Sequence, residues 1–338
     1  MNVQVETPET LDVDDDRSFG LRSSAMRLLG SWRLAGIAIP FLILFIVLSI
    51  WSGPFLSTTN LINILDQQSA YLAAAAAGTL VLVAGGLDLS VGTIYILTAV
   101  VSGDLAEHHS PLIAIGVALL VGLGVGLVNG MIVAFLKINP LIATLAMSFV
   151  IGGVALRVSS GNLIVLSQNS GFYKFANVQF WSIPSAVWIV FVFVVVLGLL
   201  LAKTTFGRYV VASGGNAEAA RLAGVRVNLI RIITFALSGL AAGLGGVIDT
   251  SRLLSAQASS ATASQLTFTV LAGIVVGGTS IAGGEGSVPR TTIGVLFIAL
   301  IGNGFNLLNI NSLYQQIVLG LILLLAVSID VWARKRRR

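Results

Sequence analysis

The chain has 338 residues, of which 56% are hydrophobic and only 10% charged, with 37 glycines, no cysteine, a net charge of +5 and a mean hydropathy of +0.96. Soluble domains carry about a quarter charged residues, so this composition excludes an ordinary water-soluble enzyme. The lack of thiols excludes disulfides, iron–sulfur clusters, Cys-ligated zinc and thiol redox chemistry. Crossing a bilayer takes about 20 apolar residues, so the chain has room for about ten crossings but not for a large soluble domain beside them.

Residues 1–33 are polar, with Glu6, Glu9, Asp12, Asp14, Asp15 and Asp16 ahead of Arg17, Arg22, Arg27 and Arg33. A secretory leader starts with positive charge, whereas this start is acidic, so it reads as a disordered cytoplasmic tail before a retained first span. Apolar runs follow at about 34–51, 70–87, 91–105, 112–136, 141–158, 185–202, 228–248, 266–281, 292–310 and 314–332. The second, third and eighth are short and adjoin or contain Gly85-Gly86 or Gly277-Gly278. This predicts broken helices whose freed backbone groups face protein or a water-lined path. The expected fold is therefore an all-α polytopic membrane protein of about ten transmembrane helices over residues 34–332, with a basic tail at 333–338. The two Gly-rich breaks, each followed by a new span, hint at an internal repeat.

Orientation follows from the positive charges. With the N-terminus inside, 16 of the 19 Lys and Arg fall on the inner side, and Arg157, Lys174 and Arg252 fall outside. Cytoplasmic loops are enriched in positive charge, so both termini are expected in the cytoplasm. The run from Arg334 to Arg338 then reads as a topology anchor near anionic lipid rather than a nucleic-acid site. Two connecting segments exceed turns. Residues 159–183, external, carry Phe172, Tyr173, Phe175, Phe180 and Trp181 and suit an interfacial lid or a docking surface for another protein. Residues 203–227 form a basic internal loop.

Several kinds of chemistry are missing. A P-loop needs Gly-Lys-Ser/Thr, and Lys137, Lys174, Lys203 and Lys335 follow Leu, Tyr, Ala and Arg. Ion-coupled carriers place ionisable groups in mid-membrane, whereas Asp66, Asp88, Asp104, Glu107, Asp249, Glu285 and Asp330 mostly sit at expected helix ends. His108 and His109 are neighbours in a short external turn and lack the spacing of a metal site. No Gly-x-Ser-x-Gly occurs. Neither catalysis on a substrate nor a bound metal or cofactor is expected of this chain.

The internal loop holds the most local information. Asn216 suits an N-cap, Glu218 stands in the first turn where the helix dipole favours an anion, and Gly224 can close the helix in a left-handed conformation. The result is a helix of about two turns held off the membrane, with Ala219, Ala220, Leu222 and Ala223 as a nearly flat knob. It either only joins two spans or inserts into a groove on a partner, its arginines pairing with the partner's surface.

Glu218-Ala219-Ala220-x-x-x-Gly224 resembles the cytoplasmic EAA loop of ABC importer permeases. The longer stretch through Gly207-Arg208, Gly214-Gly215-Asn216 and Ala219-Ala220-Arg221-Leu222-x-Gly224 resembles the branch importing ribose, xylose, galactose and similar sugars. The run Gly85-Gly86-Leu87-Asp88-Leu89-Ser90-Val91-Gly92 is similar to that branch too, as are Asn129-Gly130, Asn139 through Thr144-Leu145, Gly277-Gly278-Thr279-Ser280 with Gly283-Gly284, and Asn303-Gly304. The set covers about 55–330. The resemblance implies a type II-like permease subunit in the bacterial inner membrane, with no nucleotide of its own. A cytoplasmic ATPase with tandem domains would bind ATP, and a periplasmic or extracellular sugar-binding protein would deliver a monosaccharide. A second permease, identical or a paralogue, would complete a pathway at the interface. It implies ATPase coupling for Gly215, Asn216, Glu218, Ala219, Ala220, Arg221 and Gly224.

Pathway candidates are Asp88, Ser90, Asn129, Asn303 and Asn306. Each also has a purely structural reading, helix capping for Asp88 and Ser90 and interhelical hydrogen bonding for the asparagines. Two positions depart from the family pattern: Pro289-Arg290 precedes Thr291 where a residue followed by Gly is expected, and Gln265 stands where glutamate is frequent. The rival readings are an ion- or proton-coupled secondary carrier working as a single polypeptide, and a non-transporting scaffold.

Overall fold

Asn60, Asn63 and Gln67 lower the hydropathy ahead of the second apolar run enough to hide a helix there. The computed structural model describes residues 36–167, 171–311 and 313–335; the expected tail at 1–33 and residues 336–338 lie outside them. After α1 (Gly36–Trp51) comes α2 (Thr58–Gln67), capped by the Ser57 hydroxyl, which accepts from the Asn60 N–H. Gln68 keeps helical dihedrals and leads directly into α3 (Ser69–Val83), so this crossing has two pieces and starts well before residue 70. Then follow α4 (Val91–His108), α5 (Pro111–Phe135), α6 (Pro140–Val158), α7 (Tyr173–Asn177), α8 (Ser185–Lys203), α9 (Thr205–Gly215), α10 (Ala217–Leu222), α11 (Val227–Leu253), α12 (Ser260–Val276), α13 (Val288–Leu307) and α14 (Leu313–Lys335). Prolines in the first turn open α5, α6 and α13, where the missing N–H has no helical partner to lose. This places Pro289 without strain.

Helices α5, α6, α8, α11 and α13 are long and apolar enough to cross a membrane, and α1, α3, α12 and Leu313–Ser328 are shorter apolar helices. The chain is a mostly helical polytopic membrane protein. Helices α5, α6 and α8 expose most of their apolar surface, as lipid-facing helices do, whereas α3, α4 and α11 are buried nearly all round.

Helix α11 is the hub, packing on α3, α4 and α5. Helices in lipid gain little from hydrophobic contact with each other, and close backbone approach through small residues takes its place. A methyl group on Gly239 would overlap the Gly122 carbonyl, and on Gly130 it would lie 2.7 Å from the Ile232 Cα. At one end of α11, Arg252 Nη2 lies 2.8 Å from Asp249 Oδ1 and Nη1 lies 3.6 Å from Asp66 Oδ2, while the Tyr95 hydroxyl donates to Asp249 Oδ2 at 2.6 Å. This cluster ties α2 and α4 to α11.

The segment 159–183 is folded onto the same end of α11. Its strand β1 (Ile164–Val165) pairs antiparallel with β4 (Ser255–Ala256), and β2 (Gln179–Phe180) pairs with β3 (Ile183–Pro184) in a small hairpin. The Ser251 hydroxyl donates to the Phe172 carbonyl at 2.7 Å and accepts from the Ala176 N–H at 3.1 Å. Phe172 is fully buried, while Trp181 at the hairpin tip is 88% exposed.

The packing of α5 on α11 predicts a contrast between neighbouring glycines. Gly239→Val must push two backbones apart, and overpacking of this kind costs about 1–3 kcal/mol, so thermal unfolding in detergent should come at a lower temperature. Gly124→Val, with nothing within 4 Å of the added carbon, should unfold like the parent.

Candidate functional site

The loop between α8 and α11 holds two helices, where a single short one was expected. Thr204 caps α9 by accepting from the Gly207 N–H at 3.2 Å. Asn216 ends α9 and caps α10, its Oδ1 accepting from the Ala219 N–H at 3.0 Å. Gly224 takes φ +84°, and the Val225 N–H reaches back to the Ala220 carbonyl at 2.9 Å, a Schellman ending. Helix α10 thus has about one and a half turns. Glu218, Ala219, Arg221, Leu222 and Ala223 are exposed, Leu222 at 85%, but Ala220 is buried and holds α10 down, so it leaves the expected knob. Gly215 and Asn216 are exposed at its start.

Beneath α10 three glycine pairs meet. The Gly284 N–H donates to the Val83 carbonyl at 2.9 Å, a methyl on Gly283 would lie 2.9 Å from the Gly85 Cα, and one on Gly284 would lie 2.8 Å from the Gly215 Cα. The end of α3, the end of α9 and the loop from α12 to α13 are therefore in backbone contact. The breaks after α3 and after α12 are also built alike. Gly85 (φ +79°) and Gly278 (φ +78°) both donate to the carbonyl three residues back, and the next N–H, of Gly86 or Thr279, reaches back five. The hinted repeat has this local counterpart.

Asp88, Ser90 and Asn129 form one network at the first break. Asp88 Oδ1 accepts from the Ser90 N–H at 2.9 Å and the Ser90 hydroxyl at 2.6 Å, and Oδ2 accepts from the Ser238 hydroxyl at 2.8 Å. Asn129 Nδ2 donates to Ser90 Oγ at 2.8 Å. Thr144 Oγ1 accepts from the Leu89 N–H at 3.0 Å, and Thr267 Oγ1 accepts from the Gly92 N–H at 3.1 Å. The broken backbone is thus stitched to α5, α6, α11 and α12. A cavity of about 20 Å³, the size of a single water, lies beside Asp88 and Ser238.

Asn303 and Asn306 lie elsewhere, on a cavity of about 420 Å³ between α2, α3, α12, α13 and α14. Asn303 exchanges two hydrogen bonds with Asn60, at 2.8 and 3.2 Å, so it pairs helices and faces the cavity at once. The sequence reading missed most of this wall: Asn63 and Gln67 on α2, Gln68 after it, Tyr71 on α3, Gln265 and Thr269 on α12, and Gln315 and Gln316 on α14. The signal available was the spacing of Asn60, Asn63 and Gln67, which places three amides on one helical face. The cavity and the glycine contact lie at opposite ends of the same helices. Tyr71 is near the start of α3 and Gly85 just past its end; Gln265 is near the start of α12, and the loop after it carries Gly283-Gly284.

Among the described residues no group of three or more His, Cys, Asp or Glu side chains is placed to hold a metal. The arrangement comprises a polar cavity, a short capped helix with an exposed apolar residue, and direct backbone contact among three glycine pairs. Residues 60–327 match the family described as branched-chain amino acid transport system / permease component, and the chain belongs to that family. It is 38% identical over 300 residues to the ribose import permease protein RbsC of Escherichia coli (strain K12), covering 86% of this chain and 92% of that one. Identity is 40% over 297 residues with the ribose import permease protein RbsC of Bacillus subtilis (strain 168), covering 86% and 91%. It is 38% over 313 residues with the L-arabinose ABC transporter permease protein AraH of Azospirillum brasilense, covering 91% of both. No solved structure matches. The resemblance to sugar-importer permeases read from the motifs is borne out, and the family's members are transport components rather than catalysts.

The stitching at Asp88 yields an ordered prediction. Asp88→Leu strips three donors of their acceptor, and each buried unsatisfied donor costs about 1–3 kcal/mol. Asp88→Asn keeps an acceptor oxygen and should lose less. Thermal unfolding of the purified chain should rank the parent above Asp88→Asn, and Asp88→Asn above Asp88→Leu.

Proposed function

We propose that this chain is the membrane-spanning subunit of an ATP-driven, binding-protein-dependent importer of a monosaccharide, a pentose such as ribose or arabinose in the first instance. The observation that carries the proposal is the placement of α10. A capped helix with an exposed apolar residue directly follows Gly215 in the glycine contact, at the opposite ends of α3 and α12 from the amide-rich cavity. The relatives named for ribose and arabinose import support the solute class.

In this reading the chain crosses the membrane ten times, as α1, α2 with α3, α4, α5, α6, α8, α11, α12, α13 and α14, in a type II-like arrangement. Both termini are cytoplasmic, an orientation supported by the 16-to-3 distribution of positive charge. The sequence lacks a Gly-Lys-Ser/Thr element, so ATP is bound and hydrolysed by a partner, a cytoplasmic ATPase with tandem domains. Gly215, Asn216, Glu218, Ala219, Arg221, Leu222 and Gly224 form the surface seated in its cleft, with Ala220 as the inner anchor. Closure of the cleft moves α10 as a rigid body. Backbone contact without intervening side chains passes that movement to the breaks after α3 and α12. A second copy or a paralogous permease completes the assembly, and a soluble sugar-binding protein docks on the outer face, where Trp181 is presented. Asp88, Ser90 and Asn129 hold the first break in register, and Asn303 and Asn306 line the path.

Burying Leu222 in a partner is worth about 1.5–3 kcal/mol, or roughly ten- to a hundredfold in affinity. Leu222→Asp should therefore retain the subunit in the membrane, co-purify at least tenfold less ATPase and cut uptake of labelled D-ribose or L-arabinose in proportion. Gly224→Val, which forces a branched side chain into a left-handed conformation, should act in the same direction. Undiminished uptake in both variants, driven by an ion gradient without any ATPase, would select the secondary-carrier reading.

A further inference from the structure

We propose that the amide-lined cavity is a binding site for a neutral polyhydroxylated solute, built within one chain and designed against charged analogues. The inference rests on the importer reading and adds the residues and the selection rule.

Nine of the chain's 23 Asn and Gln residues line this one cavity, together with Tyr71 and Thr269, and none of its lining residues is Asp, Glu, Lys, Arg or His. A volume of about 420 Å³ falls within the range of small-molecule sites and admits a single aldose ring. Each carboxamide offers two donors and an acceptor oxygen, and each sugar hydroxyl both donates and accepts, so the two sets match without any charge. An anionic sugar acid or sugar phosphate would enter a membrane-embedded space with no cation to meet it, at a large desolvation cost.

The cavity divides its amides by role. Asn60 and Asn303 bond each other and hold α2 to α13. Asn63, Gln67, Gln265, Asn306 and Gln316 are exposed to the cavity and make no hydrogen bond to the described residues, so their polar groups are available to a solute. The remaining wall includes Ile298 and Ala299, an apolar surface for the C–H face of a sugar ring.

The natural absence of cysteine makes the site directly readable. Gln265→Cys and Gln316→Cys each place a single thiol in the cavity of the full chain, and Leu222→Cys places one far from it as a control. Maleimide labelling in detergent or nanodiscs should slow by 1 + [L]/Kd, roughly sixfold at about 50 mM D-ribose for a Kd of about 10 mM. Xylitol should protect as well, D-ribonate and D-ribose 5-phosphate should not, and Leu222→Cys should be indifferent to all four. Asn306→Leu should raise the half-saturating sugar concentration for uptake tenfold or more without reducing the ATPase that co-purifies. No protection by either neutral polyol, or equal protection by D-ribonate, would overturn the proposal. Because Leu222→Asp tests coupling separately, lost uptake in that variant with no protection here sinks the site and leaves the importer standing. Protection here with undiminished uptake in Leu222→Asp does the reverse.

Discussion

A peptide group that leaves a helix must find new hydrogen-bond partners, and this chain leaves the helix in the same way at two places. Both exits use a left-handed glycine, at Gly85 and Gly278; after the second, the Ser280 and Gly283 N–H groups pair within the loop and the Gly284 N–H pairs with the Val83 carbonyl. At the first exit the partners are the side chains of Asp88, Thr144 and Thr267, with Ser238 and Asn129 holding Asp88 and Ser90. Helices α5, α6, α11 and α12 are consequently gathered around one short irregular segment. The Asp88 side chain is held in place by the three hydrogen bonds it accepts.

The glycines at these exits also bring backbones into direct contact. Side chains usually blur the relation between one backbone and the next, because rotamers can absorb a displacement. Where Gly85, Gly214, Gly215, Gly283 and Gly284 meet there are no side chains to absorb it, and a shift of α9 and α10 is felt by the ends of α3 and α12 within the same contact. The opposite end of α3 carries Tyr71, 14 residues or about 20 Å from Gly85, and Gln265 and Thr269 lie along α12. In the importer reading, a rigid helix joining the two converts a tilt at one end into a change of cavity shape at the other.

Local features were legible in the sequence and assembled ones were not. The cap at Asn216, the closing Gly224 and the glycine breaks depend on residues within a turn of each other, and they stand where local chemistry places them. Helix α9 escaped notice because Gly207, Gly214 and Gly215 suggest a flexible loop. Tertiary contact decides otherwise: Gly207 lies against the Leu201 carbonyl and Gly214 against that of Val83. Helix α2 escaped for a different reason. Asn60, Asn63 and Gln67, the residues that build the cavity wall, are the ones that make the segment look unlike a membrane span. The cavity's other amides are scattered from Gln68 at the α2–α3 junction to Gln265 on α12, Asn303 and Asn306 on α13, and Gln315 and Gln316 on α14, and no window along the chain brings them together. Asn303 shows that pairing helices and lining a cavity are not exclusive roles.

Helix α11 runs unbroken for 27 residues, about 40 Å, from Val227 beside α10 to Leu253, where Ser251 holds the segment at Phe172 and Ala176 and Arg252 holds α2. A rod of this kind has no internal joint at which the two surfaces could move independently. Where ligands on both faces prefer particular placements of α11, each alters the affinity of the other by an equal factor, because the coupling free energy belongs to both alike. In the importer reading, a soluble protein seated on the segment held by Ser251 and an ATPase seated on α10 would then answer to a single shared equilibrium, each able to sense the other across the membrane without any solute passing between them.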